Sequence, residues 1–249
     1  MDFVKSLSKQ NTGRRSFLWK AGAAMSAAVA AAVPGMANHK SNQGEGLNAE
    51  VNRLSNRLGI LEDENTIRTL HQTYETLLDR GRYEEVPDLF ADDAEVVFNG
   101  GAFKGRKDGV SRLYGDCFRS GLTGKKIGSA PNFEVESEQR REFIKVSADR
   151  LSASGQFPYS MQVGAPMTGD SSLVRMARLQ GEGIVKWWEG GTCEVSFVKV
   201  GGAWKISRLE YHATSKADYK PGRTHATQID VPAFSSVFPV NPTGPDRLV

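Results

Sequence analysis

Cysteine is nearly absent: in 249 residues only Cys117 and Cys193 carry a thiol. They form no CxxC pair, and two cysteines so far apart do not by themselves imply a disulfide. Histidine is scarce as well. His39, His71, His212 and His225 are scattered, with no HExxH and no His/Cys cluster, so nothing in the spacing points to a bound metal. No internal repeat is present, which sets aside solenoids and propellers. A charge excess is also missing once residues 1–37 are set apart. That segment holds five of the 32 basic residues and one of the 29 acidic ones, leaving 27 against 28. The near-neutral remainder lacks the basic footprint of a nucleic-acid binder or of a protein held on an anionic membrane surface.

The first 37 residues read as an export signal. Lys5, Lys9, Arg14 and Arg15 form a basic start, an alanine-rich apolar run follows, and Gly35-Met36-Ala37 offers small residues before a cut after Ala37. Arg14-Arg15-Ser16-Phe17-Leu18 has the form of a twin-arginine signal, which implies a periplasmic address and the twin-arginine translocase as a transient partner. The alternatives are a basic amphipathic helix or a membrane anchor. The run is too short and too rich in alanine to span a bilayer comfortably, and it has no cysteine for a lipid, so no stable anchor is expected.

Residues 38–46 are polar and glycine-bearing and read as a linker. Leu47, Val51, Leu54, Leu58 and Leu61 then recur at spacings of four and three, a narrow helical stripe of coiled-coil type. It is expected to pack on a partner subunit, as a dimer or trimer, or on its own domain, and Gly59 weakens it. The next helix has Ile67, Leu70, Tyr74, Leu77 and Leu78 on one face and Gly81 at its end. A short helix containing Pro87, a strand over 94–98, a glycine turn and a helix over 106–121 follow. From Asn132 the texture changes to long segments rich in β-branched and aromatic residues, including 172–190 read as strand, with Gly201-Gly202 as a tight hairpin turn. Helices first and an antiparallel meander after them mean α+β. The proline-rich tail 221–249 is expected to lie extended over the domain or a neighbour.

The segment from "LHQTYETLLDRGRYEEVPDLFADDAEVVFNGGAFKGRKDGVSRLY" to "FVKVGGAWKISRLEY", within residues 47–220, resembles the SnoaL-like branch of the NTF2-like superfamily. The resemblance implies a cone: N-terminal helices packed on a strongly curved antiparallel sheet that encloses a largely apolar pocket. It brings a range of functions, among them dehydratases, isomerases, cyclases, cofactor-free lyases and non-enzymes, so it sets only a weak expectation of activity. Such cones commonly pair through the open sheet face. The pattern looks most like the bile-acid 7α-dehydratase and scytalone dehydratase type, where a tyrosine and an aspartate of the first core helix take part in proton transfer. Tyr74 and Asp79 occupy the matching positions. Two departures stand out. Ser129 falls where that type has a pocket histidine, and Ala213, beside His212, falls where it has an arginine. Phe98 takes the place of the ketosteroid isomerase base and has no proton to move.

These residues imply a cofactor-independent lyase acting on a hydrophobic aromatic or polycyclic small molecule, with Asp79 or His212 as base and Tyr74 as proton donor. Isomerisation, cyclisation or plain ligand binding would use the same pocket. Tyr74 and Asp79 are five residues apart, which on an ideal helix separates them by about 140°. The face of His212 depends on strand alternation. If Trp204 and Ile206 face inward and no bulge intervenes, His212 shares their face and Tyr211 does not. His71, one turn before Tyr74, together with Phe98, Tyr114, Trp187 and Phe197, is expected to line the pocket.

Overall fold

The computed structural model describes residues 41–121, 123–124, 142–167, 171–218, 229–231 and 233–249. The export signal, the start of the expected linker and Ser129 lie outside the described residues. The chain divides into two compact units, Met1–Glu50 and Val51–Val249. In the first, residues 41–50 are helical and belong to α1 (Ser41–Asp79), so helix begins inside the stretch read as linker. Everything that follows concerns the second unit.

The two helices expected around Gly59 are one. From Gly59 onward a single face of α1 is buried, with Asp63, Ile67, His71, Tyr74, Leu77 and Leu78 recurring at helical spacing. The helix closes with two bonds typical of a glycine C-cap. Gly81 N–H donates to Leu78 O at 3.0 Å, and Arg82 N–H donates to Leu77 O at 2.9 Å. A 3₁₀ turn (Tyr83–Leu89) leads into β1 (Phe90–Phe98) and β2 (Gly101–Lys104). Two wide helical stretches, Gly105–Val110 and Arg112–Phe118, then run into the single turn α2 (Arg119–Gly121).

The meander is β3 (Phe143–Val146), β4 (Ser152–Pro166), β5 (Ile184–Val200) and β6 (Ala203–Asp218), and the tail supplies β7 (Arg247–Leu248). Together they make one seven-stranded sheet in the order β3-β4-β5-β6-β1-β2-β7. The fold is α+β, with α1 and the wide helical stretches packed against one face of the sheet. The expectation of a wholly antiparallel sheet needs one correction, because β1 pairs with β6 in parallel. Residues 172–190 also differ from their reading as strand. Ser172–Leu179 is a helix (α3), started by the Ser171 hydroxyl accepting from Val174 N–H at 3.3 Å, and β5 begins only at Ile184.

β6 is interrupted. Phe197 faces Ile206 in the β5–β6 ladder but Ser196 faces Arg208, so Ser207 is an extra residue. Such a bulge bends the strand and inverts the alternation beyond it. The tail lies on this same unit. Phe234 N–H donates to Asn99 O at 3.1 Å, Arg112 stacks over the Phe238 ring at 4.3 Å, and β7 covers the open edge of β2.

Candidate active site

The inner face of the sheet meets α1 and the wide helix in a cluster of rings. Tyr74 comes from α1, Tyr114 from the wide helix and Tyr211 from β6. The Tyr74 and Tyr114 hydroxyls hydrogen-bond at 2.9 Å, and the Tyr74 hydroxyl also bonds that of Tyr211. Phe90, Phe98 and Phe118 pack edge-on or tilted around the three phenols. Burial pushes the Tyr74 and Tyr211 phenols well above their ordinary range and raises Tyr114 as well, because a phenolate has no water to solvate it there. The three therefore remain hydroxyl donors across the neutral range. They suit the holding of an anion rather than the removal of a proton.

A carboxylate lies on the same sheet face. Glu189 is 2 % exposed and accepts from the Tyr159 hydroxyl at 2.8 Å and from Trp187 Nε1–H at 3.1 Å. Lys216 Nζ is 3.8 Å from its Oε2. Tyr159 joins this carboxylate to the phenols, since its ring stands edge-on to that of Tyr211 with centroids 5.1 Å apart. Gly191 makes room for that ring. A Cβ there would stand 2.9 Å from the Tyr159 ring and 2.1 Å from the His212 carbonyl oxygen.

Of the residues named from sequence, Tyr74 and Tyr114 are brought together. Phe98 packs edge-on against Tyr211 and Phe118. Trp187 is in the core and holds Glu189, and Phe197 is in the core against Phe157. His71 is buried with its ring stacked on Phe157 at 3.6 Å and its centroid 5.8 Å from that of Tyr74. Desolvation lowers its pKa to about 4, so the imidazole is neutral above pH 5, and Nδ1 has no hydrogen-bond partner among the described residues.

Asp79 and His212 do not join this group. Asp79 is the last residue of α1, half-buried, turned away from Tyr74 by the helical period. His212 lies on the outer face, 43 % exposed, with Nε2 3.8 Å from Glu194 and 3.9 Å from Glu210. The bulge at Ser207 is the reason: beyond it Leu209 and Tyr211 turn inward and His212 turns out. His212 stands beside a cleft of about 290 Å³ on that outer face, lined by Phe143, Ser154, Gln156, Glu194, Arg208 and Glu210. Among the described residues no group of three or more His, Cys, Asp or Glu is placed to hold a metal ion. Cys117 and Cys193 are both buried and unpaired.

Tyr211, Tyr159 and Glu189 escaped the sequence reading. A signal for Glu189 was present, because it follows Trp187 by two residues on one strand and so shares its face.

Residues 59–151 match the family described as the SnoaL-like domain. No curated protein matches the chain. Among solved structures it is similar to a candidate scytalone dehydratase from Novosphingobium aromaticivorans, at 20 % identity over 66 % of this chain and 97 % of that one, TM-score 0.40. It is similar to a hexachlorocyclohexane dehydrochlorinase from Novosphingobium barchaimii, at 15 % identity over 72 % and 99 %, TM-score 0.42. A ketosteroid isomerase-like protein from Erwinia carotovora atroseptica is similar at 15 % identity over 61 % and 95 %, TM-score 0.40. The resemblance to SnoaL-like proteins of the NTF2-like superfamily thus rests on the stretch from Gly59 to Leu151, which carries most of α1, β1, β2 and the wide helix.

Proposed function

We propose that the chain is a cofactor-independent lyase that eliminates water, or an aldehyde by C–C cleavage, from a hydrophobic ring-bearing small molecule. The observation that carries this is the buried trio Tyr74, Tyr114 and Tyr211 on the same sheet face as the Glu189 carboxylate, joined to it through Tyr159. Glu189 takes the proton from carbon or from a hydroxyl. As the C–O or C–C bond breaks, the Tyr74 hydroxyl donates to the oxygen on which negative charge grows, and Tyr114 and Tyr211 hold that hydroxyl in place. Apolar walls from Phe90, Phe98 and Phe118 keep water from competing for those donors.

The test is incubation of the purified protein with a panel of hydroxylated aromatic and polycyclic compounds, followed by mass spectrometry. Loss of water or of an aldehyde from one compound supports the proposal and names its substrate class. Retention of an unchanged compound supports a second reading, a binding protein for an apolar ligand. That reading is favoured by the way the Tyr74 hydroxyl already spends its bonds on two other phenols.

With a substrate in hand, Tyr211→Phe is expected to lower kcat about tenfold by removing one support of the Tyr74 hydroxyl while leaving KM nearly unchanged. The pH profile is a separate check. Because burial raises all three phenols, activity is expected to show no loss from their ionisation below pH 10. An alkaline limb near pH 8 that Tyr74→Phe abolishes would contradict this. The address is part of the same proposal. With Arg14 and Arg15 both changed to lysine, the protein is expected to stay in the cytoplasmic fraction, and normal delivery to the periplasm would refute twin-arginine export.

A further inference from the structure

Between Val51 and Thr66, α1 has two working faces, and only one of them touches the domain. Gly59 and Asp63 are buried there, the first against the Arg150 guanidinium and the second bonded to Arg150, Lys199 and Trp204. At 100° per residue, Leu58 and Leu61 lie about 140° and 160° from Asp63 around the helix. They are accordingly left in solvent. Val51, Leu54, Leu58 and Leu61 are 55, 51, 58 and 53 % exposed, an unusual cost for four aliphatic side chains on one stripe.

We infer that this stripe is the seam of a parallel, in-register pair formed with a second copy of the chain. The spacing assigns Val51 and Leu58 to the first apolar position of successive heptads and Leu54 and Leu61 to the second. Val51 at the first position with leucine at the second favours two strands, and Asn65, exposed at the next first position, fixes register in such pairs. Flanking charges decide the direction. In a parallel pair Arg57 of one copy meets Glu62 of the other, twice by symmetry. In the antiparallel pair that aligns the same four apolar residues, Arg57 meets Arg57, which is repulsive. Two heptads are too short to hold an isolated helix. Here the helix is already formed, because its later turns are docked through Asp63, Ile67 and Tyr74, so pairing does not have to supply the cost of ordering it.

The test is sedimentation equilibrium of the purified protein, with circular dichroism to check the fold. Wild type is expected at twice the chain mass. Leu54→Lys with Leu58→Lys alters only exposed positions, so it is expected to keep the spectrum and raise the dimer Kd at least a hundredfold. Arg57→Glu is expected to weaken the dimer about threefold to tenfold, and adding Glu62→Arg to restore it. Leu54→Cys is expected to form an intermolecular disulfide in air, since parallel register sets residue 54 against itself and the antiparallel one sets it against Leu58. A monomeric or trimeric wild type, a dimer that survives both lysines, no rescue by the charge swap, or no cross-link at residue 54 would each overturn the inference.

Discussion

Glu189→Gln is expected to lower turnover by about 10²–10⁴-fold, the range for removing a general base, with the protein still folded. Glutamine nearly matches glutamate in shape and can satisfy both neighbours. Its amide oxygen accepts from Trp187 Nε1–H, and its amide nitrogen donates to the Tyr159 oxygen, whose hydroxyl is then free to turn. The substitution therefore removes charge and basicity while keeping the local hydrogen bonds. Glu189→Ala would instead take away the acceptor of the buried Trp187 Nε1–H and confuse a catalytic loss with a folding one. The readout is kcat beside the thermal midpoint. A normal kcat for the glutamine variant would remove Glu189 from the mechanism. The same experiment weighs the residues singled out from sequence. Asp79→Asn and His212→Ala are expected to leave kcat within about threefold, because neither side chain joins the phenols and Glu189. A large loss at either, with Glu189→Gln silent, would return the base to the helix end or to the outer sheet face.

How much of this was legible beforehand depends on whether the information is local. Helical periodicity placed Tyr74 on the buried face of α1 and Tyr114 within a helix. Those are short-range patterns, and the structure brings Tyr74 and Tyr114 together. The Gly201-Gly202 turn was legible for the same reason. Both residues have positive φ, 58° and 84°, as a tight hairpin of this kind needs. The extra residue at Ser207 was not. A bulge is settled by how β6 fits β5 and β1 together, and it exchanged Tyr211 for His212 on the inner face. The parallel pairing of β1 with β6 is likewise a matter of topology rather than pattern. Residues 172–179 went astray because they were read in one piece with the strand-forming 184–188, while the spacing of three among Leu173, Met176 and Leu179 and the Ser171 cap mark a helix. Gly59 looked like a weak point in the leucine stripe. Its cause is 91 residues away in sequence: a Cβ at Gly59 would stand 2.1 Å from the Arg150 guanidinium nitrogen, so the gap makes way for the ion pair beside it.

That ion pair is the site of the largest expected loss of stability, since Asp63→Ala should cost about 3 kcal/mol. Asp63 is 6 % exposed and ties α1 to two turns of the meander. It accepts from Arg150 Nε at 2.5 Å, from Lys199 Nζ at 2.7 Å and from Trp204 Nε1 at 2.9 Å. Alanine leaves two cations side by side and a buried indole N–H with no acceptor. Arg150 and Lys199 keep partial access to water, which holds the cost below that of a fully buried unpaired charge. For a unit of this size the loss corresponds to a fall in Tm of roughly 6–12 °C. The pH dependence of the wild type checks the same contacts. Burial alone would raise the Asp63 carboxyl, but the hydrogen bonds from Arg150, Lys199 and Trp204 outweigh it and hold the pKa at about 2, against 3.8 for a free side chain. A depressed carboxyl stabilises the folded state above pH 4 and loses that contribution as pH falls from 4 towards 2. His71 acts earlier in the same direction: its folded pKa of about 4 lies below the ordinary 6.5, so protonation opposes folding as pH drops between those values. Urea melts at successive pH values should therefore show stability falling below pH 6.5 and again below pH 4. His71→Phe should flatten the first step and Asp63→Ala the second. An Asp63→Ala protein with wild-type stability at pH 7 and an unchanged acid limb would show that the Asp63 contacts add nothing to the hold of α1 on the meander.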